Sequence, residues 1–322
     1  MTRATAVAAA FLMAFGACGA YAAQPGYPTK PIRLIIPFVP GGPSDFLSRL
    51  VGAKVAENMG QQIVPDNRGS AGGILGFEMG AHAPPDGYTM LMAAYSGFTI
   101  NPYVYKKLPY DPFKELQPIT QLTLGGNIII INPTVRANTL QEFIALAKAS
   151  PGKLNFATTG AGPLLATELF KKVAGIDLVN IPYKGTGQAQ MALLSNEVQF
   201  FVENPLIAVP NIKNGKVRGL AATSLKRNPV LPDLPTVAES GFPGYESVTW
   251  HSFAFPGGVP KSVLRKMHDE IMKALETPSV HDTILAQGLE PVGNTPEQLT
   301  ARIRKEAAEY AKLVREIGYQ PQ

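Results

Sequence analysis

Two short stretches carry residues able to hold an anion without a charged side chain. The first is Pro40-Gly41-Gly42-Pro43-Ser44-Asp45, which follows the apolar run Ile32–Phe38 and precedes apolar residues at helical spacing. The second is Thr158-Thr159-Gly160-Ala161-Gly162-Pro163, set between a short apolar run and another helical pattern. A helix that begins at such a break presents unpaired backbone N–H groups and the positive end of its dipole. Glycine lets the backbone come close to a ligand, and the combination makes an anion site. The simpler alternative is a tight turn with Ser44 or Asp45 as its cap. One loop alone favours that alternative, whereas two matched loops in one chain favour binding. Asp45 itself suits a cap, or a residue that orients a water, better than a contact with an anion.

Signatures of catalysis are missing. No phosphate-binding G-x-x-x-x-G-K-[ST], no G-x-G-x-x-G after a strand, no G-x-S-x-G and no H-E-x-x-H occurs. His82, His251, His268 and His281 show no metal-ligand spacing. His268 and His281 fall on helical segments and read as surface residues. His251 follows the single tryptophan, Trp250, and is the histidine to watch, although a packed polar residue near a strand explains it more simply. No cofactor is implied.

The elements that must position these loops alternate between strand and helix. Strands are expected at Ile32–Phe38, Tyr88–Ala94, Asn127–Ile131, Asn155–Ala157, Leu178–Tyr183, Val198–Val202 and Val217–Thr223. Helices are expected at Phe46–Met59, closed by Gly60, at Leu164–Ala174 and at Val263–Leu275. Thr139-Leu-Gln-Glu142 and Thr295-Pro-Glu-Gln298 each read as a capping box, the second with proline at the first helical position. The alternation predicts an α/β fold with mostly parallel sheets. The repeated strand–glycine loop–helix unit predicts two similar lobes. In open α/β sheets, ligands bind beyond the carboxyl ends of the strands.

Length and composition bound the rest. A chain of 322 residues with 45% hydrophobic content suggests two domains. The net charge of +5 is scattered, with no basic block and no nucleic-acid motif. Residues 1–22 read as a cleaved signal peptide: Arg3, the largely apolar run Ala4–Ala17 and Ala20-Tyr21-Ala22. Cleavage removes Cys18, the single cysteine, and leaves a soluble exported product of charge +4 without thiol chemistry. Phe15-Gly16-Ala17-Cys18 also admits a lipoprotein reading, though Phe15 stands where a small aliphatic residue is usual.

The whole mature chain resembles the receptors of tripartite tricarboxylate transporters, also called Bug receptors. The motifs that carry the likeness run in order. They are Tyr27-Pro-Thr-Lys-Pro-Ile-Arg33, Val39-Pro-Gly-Gly42 with Asp45, Asp66-Asn-Arg-Gly69 with Ala71-Gly-Gly73 and Gly76, and Pro85-Asp-Gly-Tyr-Thr89. Then follow Asn101-Pro102 with Tyr105, Leu108-Pro-Tyr-Asp-Pro112, Pro151-Gly-Lys-Leu154, Pro182-Tyr-Lys-Gly185 and Leu231-Pro-Asp-Leu-Pro-Thr-Val-Ala-Glu239.

The resemblance implies a type II periplasmic-binding-protein fold, two-lobed α/β, with crossing strands near Gly126–Ile131 and Glu246–Ala254. Residues 24–127 with 247–322 would form one lobe and 128–246 the other. It implies a monomeric periplasmic receptor, not an enzyme, that closes on a small carboxylate and delivers it to a membrane permease. A sensor subunit for a histidine kinase, or an exported carboxylate-processing enzyme, are the alternatives. Carried over residue by residue, the ligand contacts are Phe38, Gly41, Gly42, Ser44, Asp45, Tyr95, Ser96, Gly97, Thr158, Thr159, Gly160, Gly162, Glu203 and Asn204. One departure stands out. After Gly162 the family commonly has Ser or Thr and then a histidine, where this chain has Pro163-Leu164-Leu165. With Phe38, Tyr95, Phe98 and Trp250 nearby, that change points to a less polar cleft and an aromatic mono- or dicarboxylate such as terephthalate. Leu164 and Leu165 packing inward as a helix start is the competing explanation.

Overall fold

The computed structural model describes residues 26–321. The signal-peptide and lipoprotein readings fall outside them. Two β-sheets, each covered by helices on both faces, form the two lobes of an α/β fold.

The first sheet is laid down by β1 (Ile32–Ile36), β2 (Ile63–Asn67), β3 (Thr89–Ala94) and β4 (Leu116–Gly126). Between them lie α1 (Pro43–Met59), α2 (Ile74–Ala81) and the short α3 (Tyr95–Thr99) and α4 (Asn101–Val104). The chain then enters the second sheet: β5 (Ile128–Ile131), α5 (Leu140–Ala149), β6 (Asn155–Thr158), α6 (Ala161–Ala174), β7 (Val179–Pro182), α7 (Thr186–Leu194), β8 (Phe200–Glu203), α8 (Pro205–Lys213) and β9 (Arg218–Ala222). It returns with β10 (Val248–Pro256), α9 (Lys261–Glu276), α10 (Pro278–Ala286), β11 (Glu290–Pro291) and α11 (Pro296–Glu316). Strand order is β11-β4-β10-β3-β1-β2 in one sheet and β7-β6-β8-β5-β9 in the other.

Mostly parallel sheets were expected, and both sheets are mixed. β1 pairs parallel with β2 and β3, and β6 with β7 and β8. β10, however, runs antiparallel to β3 and β4, and β5 antiparallel to β8 and β9. The strands that change sheet cause this. β4 passes into β5 through the single residue Asn127, so one continuous stretch must serve two sheets. β10 returns beside β4, pairing Val248 with Gly126. The two crossings are tied where they meet: Thr223 N–H donates to Asn127 O and Ser247 N–H to Thr223 O, each at 2.8 Å.

Alternation along the strands divides the core as the pleat requires. Ile32, Leu34 and Ile36 pack with α1, α9 and α10 on one face, while Ile35 faces Phe77, Phe98 and Trp250 on the other. In the second sheet Ile129 and Ile131 face α5 and α6, and Ile128 and Ile130 face α7 and α8. Ile128–Ile131 is apolar on both faces and reads as an unbroken apolar run, and β1 is interrupted only by Arg33, which pairs with Asp66.

Element ends differ from expectation for local reasons. α1 begins at Pro43 rather than Phe46 and α6 at Ala161 rather than Leu164, because proline is accepted in the first turn, where its missing N–H costs nothing. Gly60 closes α1 in the left-handed conformation, φ 65°. The Thr295 capping box forms with both bonds. At Thr139 only half of it does: the threonine accepts from Glu142 N–H, but Glu142 takes the N–H of Asn138 instead. His268 is partly buried and bonds Asn294 O at 3.1 Å, whereas His281 is half-exposed, with its Nδ1 3.2 Å from Asp282 Oδ1.

Candidate ligand-binding site

A cavity between the sheets is lined by Phe38, Gly42, Ser44, Tyr95, Ser96, Thr159, Gly160, Gly162, Glu203 and Asn204, all of them candidates from the sequence. It offers about 100 Å³ to the centre of a water molecule. Four candidates lie outside it. Gly97 is pressed against the Phe77 ring, and Thr158 turns its hydroxyl to Asn180 Oδ1 at 2.8 Å. Gly41 and Asp45 bond to each other, the Gly41 N–H donating to Asp45 Oδ2 at 3.0 Å. Asp45 is the anchor of the loop: Arg49 Nε and Asn67 Nδ2 also donate to it, and the same Asn67 amide holds Phe38 O at 3.0 Å. Burial works against its charge, but these donors outweigh burial and hold its carboxyl below the ordinary range.

Three helices start at the cavity with glycine as N-cap and no capping side chain: α1 at Gly42, α6 at Gly160 and α7 at Gly185. Their first internally bonded N–H groups belong to Phe46, Leu164 and Ala189. The donors before these, on Ser44, Ala161, Gly162 and Thr186 among others, have no partner within their helix. They and the helix dipoles supply positive potential without a cation. α8 differs, because Asn204 caps its own helix by accepting Leu206 N–H at 3.0 Å.

The walls meet closely. A Cβ on Gly42 would lie 3.7 Å from Thr186 Oγ1, and one on Gly160 would lie 3.6 Å from Gly72 Cα. A Cβ on Gly185 would collide with Val39, and one on Gly162 with the Tyr95 hydroxyl. These contacts join residues of different sheets, so the glycines set how near the lobes can come.

Sequence reasoning missed Asn127, Gly185, Thr186 and Thr249, which also line the cavity. Pro182-Tyr183-Lys184-Gly185 was visible as a motif, yet the helix after it was not, because its apolar residues are too irregular to show a stripe. His251 does reach the cavity. It is buried, with Nδ1 at 3.4 Å from Thr123 Oγ1, and burial lowers its pKa to about 4. Glu203 is 4% exposed, and burial raises its carboxyl to about 8 against a weaker opposing hydrogen bond from Asn204 N–H. At neutral pH both groups are uncharged.

The expected apolar lining is only partly present. Phe38, Tyr95 and Pro163 line the cavity. Leu164, Leu165, Phe98 and Trp250 do not; they are buried in the cores, since once α6 begins at Ala161 both leucines turn inward. A roomier cavity of about 590 Å³ lies between α6, the start of β10 and α11. Its partly buried acid, Glu306, is already bonded by Arg302 Nε and Trp250 Nε1, each at 2.7 Å. Among the described residues no group of three or more His, Cys, Asp or Glu could hold a metal, and no helix is long and apolar enough to cross a membrane.

Residues 47–319 match the family described as the tripartite tricarboxylate transporter family receptor. Protein BugT of Bordetella pertussis (strain Tohama I) is 33% identical over 321 residues, covering 99% of this chain and 98% of BugT. The structure of periplasmic binding protein BugD superposes with a TM-score of 0.88 at 32% identity, over 92% of this chain and 100% of BugD. The structure of R. palustris Rpa4515 with adipate gives a TM-score of 0.89 at 30% identity, over 92% and 100% of the two chains. This chain belongs to the tripartite tricarboxylate transporter receptor family, whose members are substrate-binding receptors rather than enzymes.

Proposed function

We propose that this protein captures a small carboxylate in the periplasm by closing its two lobes and delivers it to a membrane permease. The observation that carries the reading is the convergence of three uncapped, glycine-started helices on one cavity that has no lysine or arginine in its lining. Such a site binds an anion through preorganised backbone donors, and its strength depends on both walls being present at once. Residues 24–127 with 247–322 would move against 128–246, about the junction of Asn127, Thr223 and Ser247, as a hinge closure. The ten candidates that line the cavity would contact ligand directly. Asp45 and Gly41 would act by holding the first loop in shape.

Within the carboxylates, an aromatic acid such as terephthalate is supported by Phe38 and Tyr95, and an aliphatic diacid by the adipate held in the relative described above. The test is a thermal-shift panel of adipate, malate, citrate, benzoate and terephthalate on protein refolded to remove any carried ligand. A ligand at 100 times its Kd stabilises the fold by about 2.7 kcal/mol. A shift with at least one acid is expected. No shift with any of them would defeat the reading. Co-purification of a permease or of a histidine kinase with the tagged receptor separates delivery from sensing.

A further inference from the structure

Among the described residues that line the cavity, Glu203 alone carries a buried side-chain atom with no partner. Glu203 closes β8, and its Oε1 accepts the N–H of Asn204 at 2.7 Å. Its Oε2 is buried and has no partner. Buried side-chain atoms without partners also occur on Ser48, Asn101, Thr167 and Gln190, but none of those residues lines the cavity. A buried oxygen left unpaired costs free energy unless a ligand or water completes it.

The surroundings decide what that ligand group is. The ionisable side chains lining the cavity are Glu203, His251 and Tyr95. His251 is neutral down to about pH 4, and burial raises Tyr95 above its ordinary value. β5 and β6, which flank β8, carry no ionisable side chain. α6 carries Glu168, Lys171 and Lys172, and α8 carries Lys213, all outside the cavity lining. No side-chain cation is therefore available to a second carboxylate of a bound diacid. Two ionised carboxylates side by side in a low-dielectric cavity repel strongly, so such a pair keeps one proton between them. The resulting O–H···O⁻ bond is charge-assisted and strong.

We infer that Glu203, as a neutral acid, donates its Oε2 hydrogen to the second carboxylate of a dicarboxylate ligand, while the helix starts take the first. The inference rests on the carboxylate-receptor reading. It makes Glu203 the residue that distinguishes diacids from monoacids and couples binding to a proton. As pH rises through the value at which Glu203 ionises, the free protein must take up a proton to bind. Affinity therefore falls on the alkaline side.

Calorimetric titration of the wild type with adipate, terephthalate and benzoate between pH 6 and pH 10 tests it. The diacid that binds is expected to hold a flat Kd up to about pH 7.5 and to weaken by about tenfold per pH unit above roughly pH 8. At pH 9, buffers of different ionisation heat should report uptake of about one proton per ligand. Glu203→Gln keeps a donor amide and should bind the diacid with a flat profile and no proton uptake. Melting of the variant confirms that it folds, and the proton count on the wild type stands without it. A diacid that binds with no proton uptake and with matching profiles in both proteins would overturn the proposal. So would tighter binding above pH 8, the sign of an ionised Glu203 facing a ligand cation. Benzoate binding with no diacid binding leaves the receptor reading standing and removes this one, whereas silence from all three acids removes both.

Discussion

On the first wall of the cavity the loop before α1 is tied down by side chains. Asp45 takes Gly41 N–H, Arg49 and Asn67, and Asn67 also holds Phe38 O. On the second wall the loop before α6 relies on backbone conformation and close approach. Gly160 sits at φ 151°, ψ −174°, and Gly162 and Gly185 face Tyr95 and Val39 across the cleft. Each wall also buries one neutral ionisable group, His251 on the first and Glu203 on the second. The same chemistry, unpaired N–H donors at a helix start, is thus built twice. On the proposed closure, the first version would be fixed before the lobes meet and the second completed by their meeting. Damage to the first should therefore appear as lost stability of the free protein, and damage across the cleft as lost affinity.

The largest test concerns the two buried titratable groups, Glu203 and His251. Glu203 has a folded pKa near 8, above the ordinary carboxyl value, so the folded state binds a proton that the unfolded state releases. Stability from this source is present at low pH and is lost as pH rises toward 8. The difference between wild type and Glu203→Gln in urea unfolding should grow, against the wild type, by on the order of 3 kcal/mol between about pH 5 and pH 8. A constant difference would mean that Glu203 is not held neutral. His251 works in the opposite sense: its lowered pKa means that the unfolded state binds the proton first, so stability falls as pH drops from about 6.5 toward about 4.

Next in size is Gly160→Ala, which forces a side chain into a backbone conformation suited to glycine and should cost about 1–3 kcal/mol. A Cβ there meets nothing nearer than Gly72 Cα at 3.6 Å, an ordinary van der Waals contact, so the cost should appear in the melting of the free protein. Gly185→Ala sharpens the contrast. Its backbone is extended, φ −173°, which alanine adopts freely, and the obstacle is Val39 across the cleft. Its melting temperature without ligand should match the wild type, while ligand affinity falls by about tenfold or more, because the closed state alone is penalised. Equal affinity would break the claim that this contact belongs to closure. The smallest effect belongs to Asp45→Ala, which should lower stability by about 1 kcal/mol by leaving the Gly41 N–H and one of the two Asn67 amide hydrogens without their acceptor. That contribution is full at neutral pH and lost as pH falls below the ordinary carboxylate range, since the folded pKa is depressed.

Much of the frame was legible because the central strands of both sheets are buried on two faces. Ile128-Ile-Ile-Ile131 and Ile32–Ile36 could be read as strands from composition alone. β2, with Pro65 inside it, and β4, whose apolar and polar residues do not alternate cleanly, gave no such signal. The helix starts could be found from Gly-Gly-Pro-Ser and Gly-Ala-Gly-Pro, since glycine and proline act through local backbone geometry. α7 could not, although its glycine N-cap proved to be part of the cavity.

By itself the sequence determined the alternation of strands and helices, the two glycine-led helix starts and the family, because all three rest on local residue types and their order. Tertiary structure alone decided that both sheets are mixed, since β4, β5 and β10 must serve the crossings. It decided that Leu164 and Leu165 leave the cavity, since a helix that begins three residues earlier rotates its side chains, and that Phe98 and Trp250 pack in the core behind the first sheet, leaving Phe38 and Tyr95 as the aromatic lining. The burial that favours the neutral forms of Glu203 and His251 arose there as well. A protonation state depends on how much water and how many partners surround a group, and those are supplied by segments distant in the chain.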